Sequence, residues 1–247
     1  MKKIIIFLTA TILNSTTALA QSVPHPRVSE LLSADGEENL LCILPEEKID
    51  SDDEQLNSYL TKVGEVHNAA LSFLVKYSSD NLDDLKRKTI EFNNQTEAGR
   101  EANLHIENID FNEIQRIAKD PFSHPLVNNN RIFQEGFSKC YNGVLNRDFS
   151  ELDRYIGSIK KTPEILPTVI GLTVCKYSGF WNLENNTPQG RLAYAIGADA
   201  VAGAVVAAGF TLATDGFGWG IWPLNVAGYG ATGMVAAAAS KLAARLD

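Results

Sequence analysis

Apolar residues recur at spacings of three and four through most of the chain, and alternation with a period of two is never sustained. Over residues 53–77, Leu56, Leu60, Val63, His67, Ala70, Leu71 and Leu74 share one stripe when each residue turns by about 100°, which predicts an amphipathic helix. Ser51 and Glu54 stand before it as a capping box. Leu82, Leu85 and Ile90 predict a second helix of poorer pattern, and residues 93–108 are polar and ambiguous. "DFNEIQRIAKD" predicts a short helix ended by Pro121, and Asn128 to Asn130 a loop. Ile132 to Leu145 reads as helix despite Gly136 and Gly143. Ser150 and Asp153 read as a cap before Leu152, Tyr155, Ile156 and Ile159. Leu166, Val169, Ile170, Thr173, Val174, Tyr177 and Trp181 predict a further helix with Pro163 or Pro167 in its first turn, where proline is tolerated. "NLENNTPQG", residues 182–190, reads as a linker.

Beyond that linker the polar face disappears. Leu192, Ile196, Val201, Val205, Val206, Phe210 and Leu212 lie in a Gly/Ala-rich run interrupted by Asp199. Seven such residues favour a bilayer by about 2–4 kcal/mol, and an aspartate near the centre opposes it by roughly 2.5–3.5 kcal/mol. The balance is close to zero, so this composition neither commits to lipid nor avoids it. Small residues form stripes: Ala195, Asp199, Gly203 and Ala207 are spaced by four, as are Ala200, Ala204 and Ala208. Val226 to Leu242 repeats the device with Gly228, Thr232, Ala236 and Ser240. Such stripes let helix backbones approach closely, in lipid or in water. Between the two segments, "TDGFGWGIWPLN" breaks helix, and its Phe217, Trp219 and Trp222 would suit a headgroup layer. The pattern therefore predicts an all-α protein: a helical bundle body over 21–181, followed by a Gly/Ala-rich helical hairpin over 191–247 with an aromatic tip.

The first twenty residues change the setting. Lys2 and Lys3, the apolar run Ile4–Leu13 and Ala18-Leu19-Ala20 have the form of a signal peptide cleaved before Gln21. The expected destination is outside the cytoplasm, in a periplasmic or extracellular space, with membrane association left open. Removing that leader takes the formal charge from −8 to −10. The segment from Lys176 onward is neutral, so the acidity belongs to the body, which argues against nucleic acid as a partner. Three cysteines remain, Cys42, Cys140 and Cys175; an exported chain can oxidise two of them, and spacing alone allows any of the three pairings.

Candidate chemistry is sparse. His67 lies at the centre of its apolar stripe with Gly64 one turn before it and Asn68 beside it. The ordinary reading is a core histidine hydrogen-bonded to a carbonyl or a neighbouring side chain, with Gly64 admitting another helix. On that reading, exchange for leucine keeps the fold or stabilises it. The functional reading is a ligand-binding or pH-responsive site at His67 and Asn68. His25, His105 and His124 sit at unrelated spacings, and no zinc, calcium or hydrolase motif is present. Neither metal, cofactor nor catalytic residues are expected.

Three features in order resemble a group of uncharacterised bacterial secreted helical proteins. They are the Gly-x-x-His-Asn-x-x-Leu helix (Gly64, His67, Asn68, Leu71), the later "VCKYSGFW", and Ala198-Asp199-Ala200 opening a Gly/Ala-rich tail. The resemblance spans residues 60–240. It implies an architecture and no activity, and this tail carries fewer glycines per turn than a true glycine zipper.

Three roles for the hairpin follow: packed into the body as core, inserted into a membrane in the manner of a bacteriocin-like protein, or used for self-association. The leading expectation is a non-enzymatic protein in which the hairpin meets a membrane or another protein through Asp199, Gly203, Ala207, Trp219, Trp222, Gly228, Thr232 and Ala236. The alternative is a secreted or periplasmic structural or binding protein whose hairpin is core.

Overall fold

The computed structural model describes residues 53–79, 81–95, 100, 109–162, 164–185, 187–213 and 226–243, with backbone alone at 53–55, 189, 209–213 and 226–234. The signal-peptide segment, Cys42, Ser51 of the capping box and the aromatic tip with Trp219 and Trp222 lie outside the described residues. Within them the fold is all-α, with nine helices and no strand. They are α1 (Asp53–Tyr77), α2 (Leu82–Asn93), α3 (Phe111–Lys119), α4 (Pro125–Asn128), α5 (Arg131–Asn146), α6 (Ser150–Ser158), α7 (Leu166–Glu184), α8 (Gln189–Ala213) and α9 (Val226–Ala243).

Local chemistry sets most boundaries. Asn81 caps α2, its side chain accepting from the Asp83 and Asp84 N–H groups, and Asp110 caps α3 in the same way. A 3-10 turn begins at Pro121 directly after α3, as the proline requires. Pro167 occupies the first turn of α7. Two expectations shift. The N-cap position of α6 is Phe149, which makes no side-chain capping bond; Asp148 just before it accepts the Ser150 N–H at 2.9 Å, and Ser150 itself is the first helical residue. The linker at 182–190 shrinks, because α7 continues to Glu184 and α8 starts at Gln189. Asn182 stays helical because its side chain is buried and donates to the Ser178 carbonyl at 2.8 Å, while its Oδ1 accepts from Thr187 at 2.6 Å.

Four long helices make the core. α1 packs on α7, α7 on α8, α8 on α9, and α9 back on α1, so the four close into a ring with α1 and α8 at opposite corners. Residues 199 and 240 are nearly equidistant from the 214–225 connection and meet side by side, so α8 and α9 run antiparallel. The remaining elements line the outside: α2 against α1 and α9, α3 against α8 and α9, α5 against α7. This explains why α8 and α9 lack a polar face. α8 is covered by α7, α9, α3, α4, α5 and the 3-10 turn, and α9 by α1, α8, α3 and α2. A helix with neighbours on every side is apolar on every side. One buried core runs through all of them, so the body helices and the hairpin share it.

Small residues set the spacing of the ring. A Cβ on Gly171 of α7 would stand 2.5 Å from the Ala200 carbonyl oxygen and 2.8 Å from Ala204 Cβ. Gly64 admits the ring of Tyr177, as expected of a glycine one turn before His67. Cys140 of α5 and Cys175 of α7 form a disulfide with Cα atoms 6.4 Å apart, pinning the outer layer to the ring.

Candidate functional site, a buried polar layer

Each of the four ring helices sends one polar side chain to the centre. These are His67 from α1, Ser178 from α7, Asp199 from α8 and Ser240 from α9, all buried. The two titratable members come from opposite corners and meet across the axis, with His67 Nε2 at 3.3 Å from Asp199 Oδ2. Ser178 Oγ donates to the same carboxylate oxygen, and the Ser240 side chain lies close enough to the carboxyl to act on it electrostatically. On the far side of the imidazole, Nδ1 lies 2.8 Å from Asn68 Oδ1, an atom that only accepts, so Nδ1 carries hydrogen. Asn182 donates to Ser178 Oγ at 3.1 Å and extends the network toward the rim of the bundle.

The positioning follows from helical geometry. His67 sits in the middle of the α1 stripe formed by Val63, Ala70, Leu71 and Leu74, so a side chain there must face the ring. Asp199 belongs to the α8 stripe of Ala195, Gly203 and Ala207. Its neighbours Ala198, Ala200 and Ala202 are fully buried, which leaves the carboxyl no route to water. Burial pushes the Asp199 carboxyl above its usual range; the charge of His67 and the hydroxyls of Ser178 and Ser240 pull the other way.

A second polar anchor lies near the end of α1. Lys241 of α9 donates from Nζ to the Leu74 carbonyl at 2.6 Å and to the carbonyl and hydroxyl of Ser78. These carbonyls belong to the C-terminal end of α1, where intrahelical donors run out and the helix dipole is negative, so a lysine suits it; the Leu74 carbonyl also accepts from the N–H and hydroxyl of Ser78. Desolvation lowers the Lys241 ammonium, against the attraction of Asp84. A second buried lysine, Lys176, reaches Asp153 of α6 at 2.5 Å.

The sequence-proposed residues thus divide. His67, Asn68 and Asp199 come together in one site. Gly203 packs on Val174 of α7, and Ala207 and Ala236 are buried in the core. Gly228 and Thr232 belong to α9. Missed in the sequence were Ser178, Asn182 and Lys241. Ser178 was visible only as part of "VCKYSGFW", and a serine in an apolar run carries no signal of its partner. Asp199, which in the sequence only interrupts an apolar run, is paired with His67.

The layer brings one carboxyl and one imidazole to within 3.3 Å in a site closed to water. Ser178 bonds the carboxylate and not the imidazole, so it does not make the serine–histidine contact of a hydrolytic triad. Among the described residues no group of three or more metal-ligating side chains converges. No protein-family model, no curated protein and no solved structure matches this chain.

Proposed function

We propose that this is an exported, non-enzymatic structural or binding protein whose α8–α9 hairpin is a constituent of its core. The observation that carries the reading is the polar layer, in which both hairpin helices complete a buried polar set begun by α1 and α7. A segment kept in reserve for a membrane would leave a sealed body behind it. Here removal of α8 and α9 would strip His67 of its counter-ion and the α1 terminus of its lysine. The leader-like first twenty residues support export, and the Cys140–Cys175 disulfide suits an oxidising compartment. The neutral tail and acidic body give nucleic acid no purchase.

Membrane insertion stands as a second reading, favoured by one observation. The window Gly190–Ala208 is 19 residues long with mean hydropathy 1.4, which suffices by length and composition to cross a bilayer. In the fold, 83% of that window is buried, and core helices pass the same test. Cell fractionation, N-terminal mass determination and flotation of the purified protein with anionic and zwitterionic vesicles separate the readings. The expected result is a mature chain beginning at Gln21, in the soluble exported fraction, that stays at the bottom of the gradient. Flotation of the folded wild type would give the hairpin to the membrane, and a cytoplasmic chain retaining Met1 would remove export.

A further inference from the structure

We propose that His67 and Asp199 form a one-proton latch: closing α8 onto α1 takes up a proton at neutral pH, so the bundle is tightest in mildly acidic solution. The proposal rests on the docked-hairpin reading above and adds its regulation.

Both side chains are fully buried and face each other across the bundle axis at 3.3 Å. With Nδ1–H turned to Asn68, the remaining titrating proton belongs to the pair, held on Nε2 or on the carboxyl. One proton there makes the pair neutral overall. A second proton leaves a buried positive charge without a partner, and loss of the first leaves a bare carboxylate; burial penalises both. Among the described residues, the charges on the neighbouring helices are engaged elsewhere. On α1, Glu65 is paired with Lys62; on α7, Lys176 is held by Asp153; on α9, Lys241 is turned to the α1 carbonyls. From α2, Lys88 pairs with Glu91 and Arg87 with Asp84; from α3, Arg116 pairs with Glu113; from α5, Arg131 pairs with Glu135.

The unfolded chain follows ordinary values, about 3.9 for aspartate and about 6.5 for histidine. Between them the unfolded pair also holds one proton, so folding leaves the count unchanged and this contribution does not vary with pH. Above about 6.5 the unfolded pair holds none, the folded pair holds one, and stability falls as pH rises. Below about 3.9 the unfolded pair holds two, and stability falls as pH drops. The upward direction of the Asp199 carboxyl agrees with the sign on the alkaline side: a folded group that keeps its proton longer loses stability as pH rises. Acid therefore does not release the hairpin anywhere between about pH 4 and 6.5 through this pair.

The test is urea unfolding of the disulfide-intact protein at pH 5, 6, 7 and 8 for wild type, Asp199→Asn and His67→Leu/Asp199→Leu. Differences from wild type cancel every other titrating group. Relative to the double variant, the wild-type unfolding constant should stay level from pH 5 to 6 and then rise by up to tenfold per pH unit toward pH 8. Asp199→Asn removes the acid and keeps the base, so the sign reverses: its unfolding constant should fall between pH 5 and 6.5 and then level. Either variant suffices if the other does not fold. Parallel profiles for wild type and the variant that folds would overturn the latch, as would a wild type that gains stability above pH 6.5 relative to it. A flat comparison with the vesicle result unchanged would refute the latch and leave the docked hairpin intact; flotation of folded wild type would refute the docking itself.

Discussion

Exchanging His67 for leucine looks harmless from sequence, since it places an apolar residue on an apolar stripe, and the fold reverses that expectation. Leucine would face Asp199 Oδ2, which His67 Nε2 now meets at 3.3 Å in a site closed to water. Two estimates of the damage agree. Removing one partner of a buried ion pair costs about 3–5 kcal/mol. Alternatively the stranded carboxyl protonates; at pH 7, against an unfolded value of about 3.9, that costs about 4 kcal/mol. The second route caps the cost and makes it pH-dependent, about 1.5 kcal/mol at pH 5. Asp199→Leu strands the Nε2 lone pair instead, for about 1–3 kcal/mol. The double variant joins two leucines across the axis; it leaves the Ser178 and Ser240 hydroxyls without the carboxylate and Asn68 Oδ1 without the imidazole N–H, and helical serines can turn to the carbonyl four residues back. It should lie within about 2 kcal/mol of wild type, so the cycle should give a coupling of about 3 kcal/mol or more. Urea unfolding followed by circular dichroism at pH 7 measures all four corners. A His67→Leu protein as stable as wild type, or additive single effects, would show that the two side chains are not paired.

Two further outcomes follow from the packing. The Cys140–Cys175 bridge has a sequence separation of 35, which in the chain-entropy picture corresponds to about 3.8 kcal/mol; the Cys140→Ala/Cys175→Ala protein should unfold at markedly lower urea, and an unchanged midpoint would mean the bridge is absent in solution. Gly171→Ala would set a methyl 2.5 Å from the Ala200 carbonyl oxygen, forcing α7 and α8 apart for about 1–3 kcal/mol; a thermal melt matching wild type would contradict that approach.

Helix existence and the inward face of α1 were legible in sequence because an amphipathic helix repeats every 3.6 residues and needs only its own residues to show it. Leu56, Val63, Leu71 and Leu74 are buried as that stripe requires. The same logic was silent for α8 and α9. A helix surrounded on every side has no polar face, so its periodicity vanishes and its composition matches a membrane span. Whether lipid or protein covers it is decided by neighbours, here by the fit of Gly171 against Ala200 and Ala204. Pairings were beyond reach for a related reason. The bridge chose Cys140 and Cys175 because α5 and α7 lie side by side, and spacing cannot report that. His67 and Asp199 were each conspicuous alone, one polar group in the middle of an apolar stripe. Periodicity tells which side of a helix faces inward, but not which helix stands opposite. Only the closing of four helices into a ring placed α1 and α8 at opposite corners, and so turned two isolated oddities into one pair.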